Sequence, residues 1–206
     1  MWVVKIGGSL YDSPRLLDWL RELADDPSPV VIVPGGGPFA DQVRSAQRRW
    51  PISDASAHRM ALLAMDQFGE LCCALDDRWR RFSNPLALRA GHNEGDKWIW
   101  FPSHADPEVE HNWRITSDSL AAWLAAELPA DGLALIKSAA VQGATPLFAD
   151  GGSPSLLDGG FAYFRSRLSC PIWLVHRDDY RSWHELSGWD DGGTAGSQVM
   201  QFARRI

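Results

Sequence analysis

The sequence predicts an α/β fold, a three-layer αβα sandwich around a mainly parallel central sheet. Three observations predict it. The runs Val3-Val4-Lys5-Ile6-Gly7-Gly8-Ser9 and Val31-Ile32-Val33-Pro34-Gly35-Gly36-Gly37 are apolar, β-branched and stop abruptly in consecutive glycines. Such runs read as buried parallel strands that open into tight loops. Further apolar runs alternate with segments of helical periodicity, which places helices on both faces of one sheet. Finally, 206 residues with 11 Trp can bury a full core, so one domain over residues 1–206 is expected.

The first strand is read at residues 2–6. A helix follows from about Pro14 to Ala24, with Leu16, Leu17, Leu20 and Leu23 on one face. The second strand, about 30–34, ends in the triple glycine, and a helix starts from Pro38. Proline suits the first helical turn, where its missing N–H would have had no partner. Residues 54–75 read as a long helix that is apolar almost all round, through Met60, Leu62, Leu63, Met65, Phe68 and Leu71. Such a helix belongs at the centre of the core or at a subunit interface. Residues 98–101, 133–137 and 171–176 read as further strands. Thr116 or Ser117 caps a helix whose apolar face runs Leu120, Trp123, Leu124 and Leu128. The stretches 143–160 and 186–198, rich in Gly, Ser and Asp, read as mobile loops.

Composition narrows the function classes. A formal charge of −6 argues against a nucleic acid or an anionic membrane as the main partner. No apolar stretch approaches the length that crosses a bilayer, and the chain opens directly into a strand, so no secretory leader and a cytoplasmic location are expected. Cys72, Cys73 and Cys170 match no zinc or redox spacing, and buried free thiols are the expectation for the first two.

The chemistry-bearing residues gather at strand ends. Open α/β sheets bind ligands at the C-terminal ends of their strands. Gly7, Gly8 and Ser9 can bring backbone N–H groups close to phosphate oxygens, because no Cβ stands in the way. Lys5 is placed to neutralise the same charge, although a strand lysine can also simply snorkel to the surface. Gly35-Gly36-Gly37-Pro38-Phe39-Ala40 fits G-x-G-x-x-A but lacks the following strand and acid of a dinucleotide site, which leaves an anion site at a helix N-terminus. Lys137 matches Lys5 in context, a single lysine closing a buried strand, with Ser138 beside it. Asp118 falls in the first turn of its helix, where the dipole alone would favour an acid, and where it could equally orient the two lysines. Two lysines and one acid form a charge clamp for a phosphoryl group. Among the six histidines, His58 stands out for its place on the long helix after the glycine loop; a structural histidine is its alternative.

In order, Lys5-x-Gly7-Gly8-Ser9, Gly35-Gly36-Gly37, Ser117-Asp118-Ser119-Leu120-Ala121 and a late Gly193-Thr194 resemble the amino acid kinase superfamily. Within it, Ile52-Ser53, His58-Arg59-Met60-Ala61, Met65-Asp66 and Trp113-x-Ile115-Thr116-Ser117-Asp118-Ser119-Leu120 are most similar to small kinases assigned to methanofuran biosynthesis. The resemblance implies an amino acid kinase or carbamate kinase-like fold and an ATP-dependent phosphotransferase that turns 5-(aminomethyl)-3-furanmethanol phosphate into its diphosphate; the alternatives are a kinase of another small acid (carboxylate, carbamate or nucleoside monophosphate) and a non-catalytic nucleotide- or oxyanion-binding protein of the same fold. It implies Lys5, Asp118 and Lys137 as catalytic residues. It assigns Gly7, Gly8, Ser9, Ser138, Val141 and Gly143 to ATP, and Gly35, Gly36, Gly37, His58 and Ser117 to the acceptor. Mg²⁺ would be held mainly by the ATP phosphates and not by a protein ligand set, and a homodimer or higher homo-oligomer is implied, with helix 54–75 at or beside the interface. The string Ala140-Val141-Gln142-Gly143 departs from the Asp-Val-Asp-Gly-like string common in the family.

Overall fold

The computed structural model describes residues 1–105, 109–138, 144–146 and 156–188, the segment 144–146 as backbone. Its elements are β1 (Trp2–Ile6), α1 (Arg15–Asp25), β2 (Val30–Pro34), α2 (Gly37–Arg49), α3 (Asp54–Leu75), β3 (Arg80–Phe82) and α4 (Pro85–Ala90), then β4 (Lys97–Trp100), α5 (Ser117–Glu127), β5 (Gly132–Lys137), β6 (Ala144–Pro146), α6 (Phe161–Arg165), β7 (Ile172–His176) and α7 (Trp183–Ser187). One sheet carries the strands in the order β3-β4-β2-β1-β5-β7-β6. Every pairing is parallel except the antiparallel β6–β7 edge.

The β-branched runs become central strands because both their faces are covered. Val3, Val31, Val33, Leu133 and Leu135 join one core with residues of α5 and α6. Trp2, Val4, Ile6, Val30, Ile32, Ala134 and Ile136 join a second core with α1 and Trp183 of α7. The period-two alternation of a strand thus sorts its residues into two interlayers, which makes the sandwich three layers deep. The residues of α3 reach both cores, Leu62 and Met65 one, Phe68 and Cys72 the other. That double burial accounts for most of its all-round apolar character; Met60 and Leu63 remain exposed.

Several expectations need correction. The buried face of α1 is Leu16, Trp19, Leu20 and Leu23, with Leu17 only half-buried. Within the stretch read as loop, residues 144–146 form the edge strand β6, and Phe161–Arg165 just beyond it form α6. The short strand β3 and helix α4 escaped the reading. Cys72, Cys73 and Cys170 are all free thiols; Cys72 is buried, and that burial pushes its thiol up to about 12.

At the N-terminal edge of the sheet lies a buried polar knot. Lys97 Nζ donates to the carbonyls of Asp26 (2.5 Å) and Ser28 (2.6 Å). The Asp26 carboxylate accepts from Ser28 N (2.7 Å) and from Trp183 Nε1 (2.6 Å). Among the described residues no helix is long and apolar enough to cross a membrane.

Candidate active site

Strand register brings the two lysines together. Lys5 pairs with Leu135 across β1 and β5, so their side chains share a face of the sheet. Lys137 lies two residues beyond Leu135 and therefore shares that face as well. This is the face that α5 covers, and the first turn of α5 lowers Asp118 between them. Lys5 Nζ is 2.9 Å from Asp118 Oδ1, and Lys137 Nζ donates to Asp118 Oδ2. Lys5 and Asp118 are buried, and Lys137 is nearly so.

Burial opposes the charge on Asp118, yet the two ammonium groups outweigh it and leave its carboxyl below the usual carboxylate range. Lys137 takes the opposite burden. Burial and the charge of Lys5 pull it down to about 8 against the attraction of Asp118. One carboxylate facing two lysines leaves a local excess of positive charge, an arrangement suited to an anion of more than one charge.

The glycine loops meet beside this triad. A Cβ on Gly8 would stand 2.2 Å from Gly37 N, and one on Gly35 would stand 2.4 Å from Gly8 N. The two loops are thus in backbone contact, which only glycine permits at these positions. Gly37 adds a left-handed φ of +52°. A Cβ on Gly36 would strike Ala40 Cβ at 2.4 Å, so Gly36 is fixed by the close start of α2. Gly7 lies next to the lysine: its N–H donates to Ile136 O (3.2 Å), and Lys5 Nζ is 3.6 Å from where its Cβ would be. Ser138 Oγ donates to Ser9 Oγ (2.7 Å), tying the end of β5 to the first glycine loop.

A cavity of about 340 Å³ opens on the α2–α3 side of these loops. Gly8, Ser9, Gly36, Gly37, His58, Trp113 and Ser117 are among its lining residues. His58 is 5% exposed, stacks on His111 (ring centroids 4.8 Å apart, planes 9° apart), and its Nε2 has no hydrogen-bond partner among the described residues. An orphaned buried nitrogen costs roughly 1–3 kcal/mol, so a satisfied structural histidine does not describe it. Burial, reinforced by His111, lowers the His58 pKa, which keeps the ring neutral at pH 7.

Sequence reasoning missed Asp158. Neither Thr116 nor Ser117 caps α5 with its side chain. Asp158 does so from elsewhere in the chain, accepting from Thr116 N (2.8 Å), Thr116 Oγ1 (2.7 Å), Ser119 N (3.0 Å) and Ser119 Oγ. With the cap supplied from outside, Asp118 is free to turn toward the lysines. No spacing rule links an acid to a helix start 42 residues earlier, so only the fold reveals it. Val141 and Gly143, with the rest of the string 140–143, and Gly193-Thr194 lie outside the described residues.

The structure therefore brings Lys5, Asp118, Lys137, Gly7, Gly8, Ser9 and Ser138 together at one strand edge, with Gly36, Gly37, His58 and Ser117 lining the adjoining cavity and Gly35 packed against Gly8 outside that lining. The model of the amino acid kinase family matches residues 1–79. The chain is 35% identical over 129 residues to [5-(aminomethyl)furan-3-yl]methyl phosphate kinase of Methanocaldococcus jannaschii, a match spanning 60% of this chain and 59% of that protein. In three dimensions it is similar to the UMP kinase of Bacillus anthracis, at a TM-score of 0.68 with 16% identity and 90% of each chain covered. The uridylate kinase of Archaeoglobus fulgidus gives a TM-score of 0.64 with 16% identity, covering 85% of this chain and 90% of that one. In sequence the chain is similar to the amino acid kinase family over its first 79 residues, and across most of its length it shares the fold of these UMP kinases.

Proposed function

We propose that this chain is an ATP-dependent small-molecule kinase whose acceptor is itself a phosphate ester, [5-(aminomethyl)furan-3-yl]methyl phosphate, converted to the diphosphate in methanofuran-type biosynthesis. The observation that carries the reading is the uncompensated lysine charge around Asp118, set against two glycine loops that no Cβ could enter. The named relative supplies the acceptor.

The donor triphosphate fits the first glycine loop: Gly7, Gly8, Ser9 and Ser138 would hold its phosphates, and ATP would supply the phosphoryl group. Mg²⁺ would be carried by those phosphates and water, since Asp118 is already committed to two lysines. The chain's own work is positioning and charge neutralisation, which suffice for phosphoryl transfer. Lys5 and Lys137 stabilise charge on the equatorial oxygens, while Asp118 fixes both ammonium groups and abstracts no proton. Gly35, Gly36 and Gly37, with the N-terminus of α2, would orient the acceptor phosphate. The acceptor oxygen is already anionic, so no general base is needed.

The same reading holds the chain to be one cytoplasmic domain that pairs through the exposed Met60 and Leu63 of α3. Light scattering at micromolar concentration should give a dimer mass. For the reaction, incubation with Mg-ATP and a panel of phosphorylated and carboxylated acceptors, followed by ³¹P NMR, should show a diphosphate doublet with the furan phosphate. Transfer to a carboxylate alone would replace this reading.

A further inference from the structure

The acceptor cavity has two kinds of wall. The glycine loops and the start of α2 offer backbone N–H groups and suit an anion. The opposing residues are different: Asp41 and Asp54 carry carboxylates, and Arg44 is the cation among the lining residues. That guanidinium is already engaged, 2.8 Å from Asp41 and 4.5 Å from the centroid of the Trp113 ring. Gln47 joins the same wall, donating to Asp54 Oδ1 (2.7 Å) and accepting from Trp113 Nε1 (2.5 Å). Asp54 and His58 are four residues apart on α3 and so face the cavity as neighbours. His58 lines the cavity, and its buried Nε2 has no hydrogen-bond partner among the described residues.

Resting on the kinase reading, we infer that Asp54 and His58 form a subsite for a protonated amine on the acceptor, and so determine its specificity. A neutral imidazole with a bare ring nitrogen can accept a hydrogen bond from an ammonium, and the free oxygen of a carboxylate one helical turn away supplies the opposite charge. Burial keeps the imidazole uncharged, so it does not repel the cation. An acceptor with a carboxylate at this end would meet Asp54 and Asp41 and be repelled. The cavity therefore reads both ends of a zwitterion, a phosphate at the glycine loops and an amine at α3.

Two esters test this: [5-(aminomethyl)furan-3-yl]methyl phosphate and its analogue with methyl in place of aminomethyl. Their binding to the whole chain is measured by calorimetry, and their transfer with Mg-ATP by coupled assay. Wild type should bind the amine ester at least tenfold more tightly. Asp54→Asn and His58→Phe should each cut that preference severalfold, through affinity for the amine ester and not for the methyl ester. His58→Phe should melt no lower than wild type, because it removes an unsatisfied nitrogen. Equal binding of the two esters by wild type, or equal losses for both in the variants, overturns the subsite. So does a large drop in Tm for His58→Phe, which would make the ring structural. If the amine ester binds preferentially but no phosphoryl is transferred, the kinase reading fails and the amine subsite stands.

Discussion

The sheet buries lysine at both ends of its strands, one at the N-terminal edge and two at the C-terminal edge, and the two surroundings are built differently. At the N-terminal edge Lys97 is consumed by its surroundings: two backbone carbonyls accept hydrogen bonds from its ammonium, and the Asp26 carboxylate nearby is itself satisfied by Ser28 N and Trp183 Nε1. At the C-terminal edge Lys5 and Lys137 share one carboxylate and keep an excess of charge. Burial of a lysine alone does not mark a site, because both edges have it. What separates them is the balance of partners: a closed network holds the fold, and an open one waits for an anion.

That contrast can be broken most directly at Lys5. Lys5→Ala should lower turnover on the order of a hundredfold or more, as for other electrostatic stabilisers, while Tm hardly moves, since Asp118 keeps Lys137 as partner. A large Tm loss with turnover intact would make the two edges alike. Asp118→Asn should cost roughly tenfold in turnover and draw Lys137 below about 8, because the attraction that raises it is gone. A pH–rate series on both proteins reads that displacement. At the other edge, Lys97→Met should cost about 1–3 kcal/mol of stability by orphaning two buried carbonyls and leave the specific activity of the folded protein unchanged; urea unfolding and a rate assay on one preparation decide it. The smallest effect is in wild type itself. Lys137 loses its proton as pH rises through about 8, so turnover should fall across that range and recover on return to neutral pH.

Much of this was legible because it is periodic or local. The apolar runs ending in glycine specified β1 and β2, and their parallel pairing places both loops on one edge. Lys5 and Lys137 could be picked out as charges where apolar residues belong, and Asp118 as an acid in the first turn of a helix. Strand β3 could not: Arg80 and Arg81 are exposed on the sheet's edge, and only three residues pair, so no apolar run announces it. The role of Lys97 carries no sequence signal, because its partners are backbone carbonyls, which any sequence supplies. The Asp158 cap stayed hidden because its hydrogen bonds join segments that only tertiary packing brings together.

That cap has a consequence for the order in which the molecule is made. Lys5, Asp118 and Lys137 have all left the ribosome well before Asp158 does, and domains generally fold as units as the chain emerges. Until residue 158 arrives, the start of α5 lacks the acceptor for Thr116 N and Ser119 N, and the turn that carries Asp118 is without its cap. A nascent chain can therefore assemble the sheet's centre while the edge that carries Lys5, Asp118 and Lys137 stays unformed, and Asp158 acts as the latch that completes it.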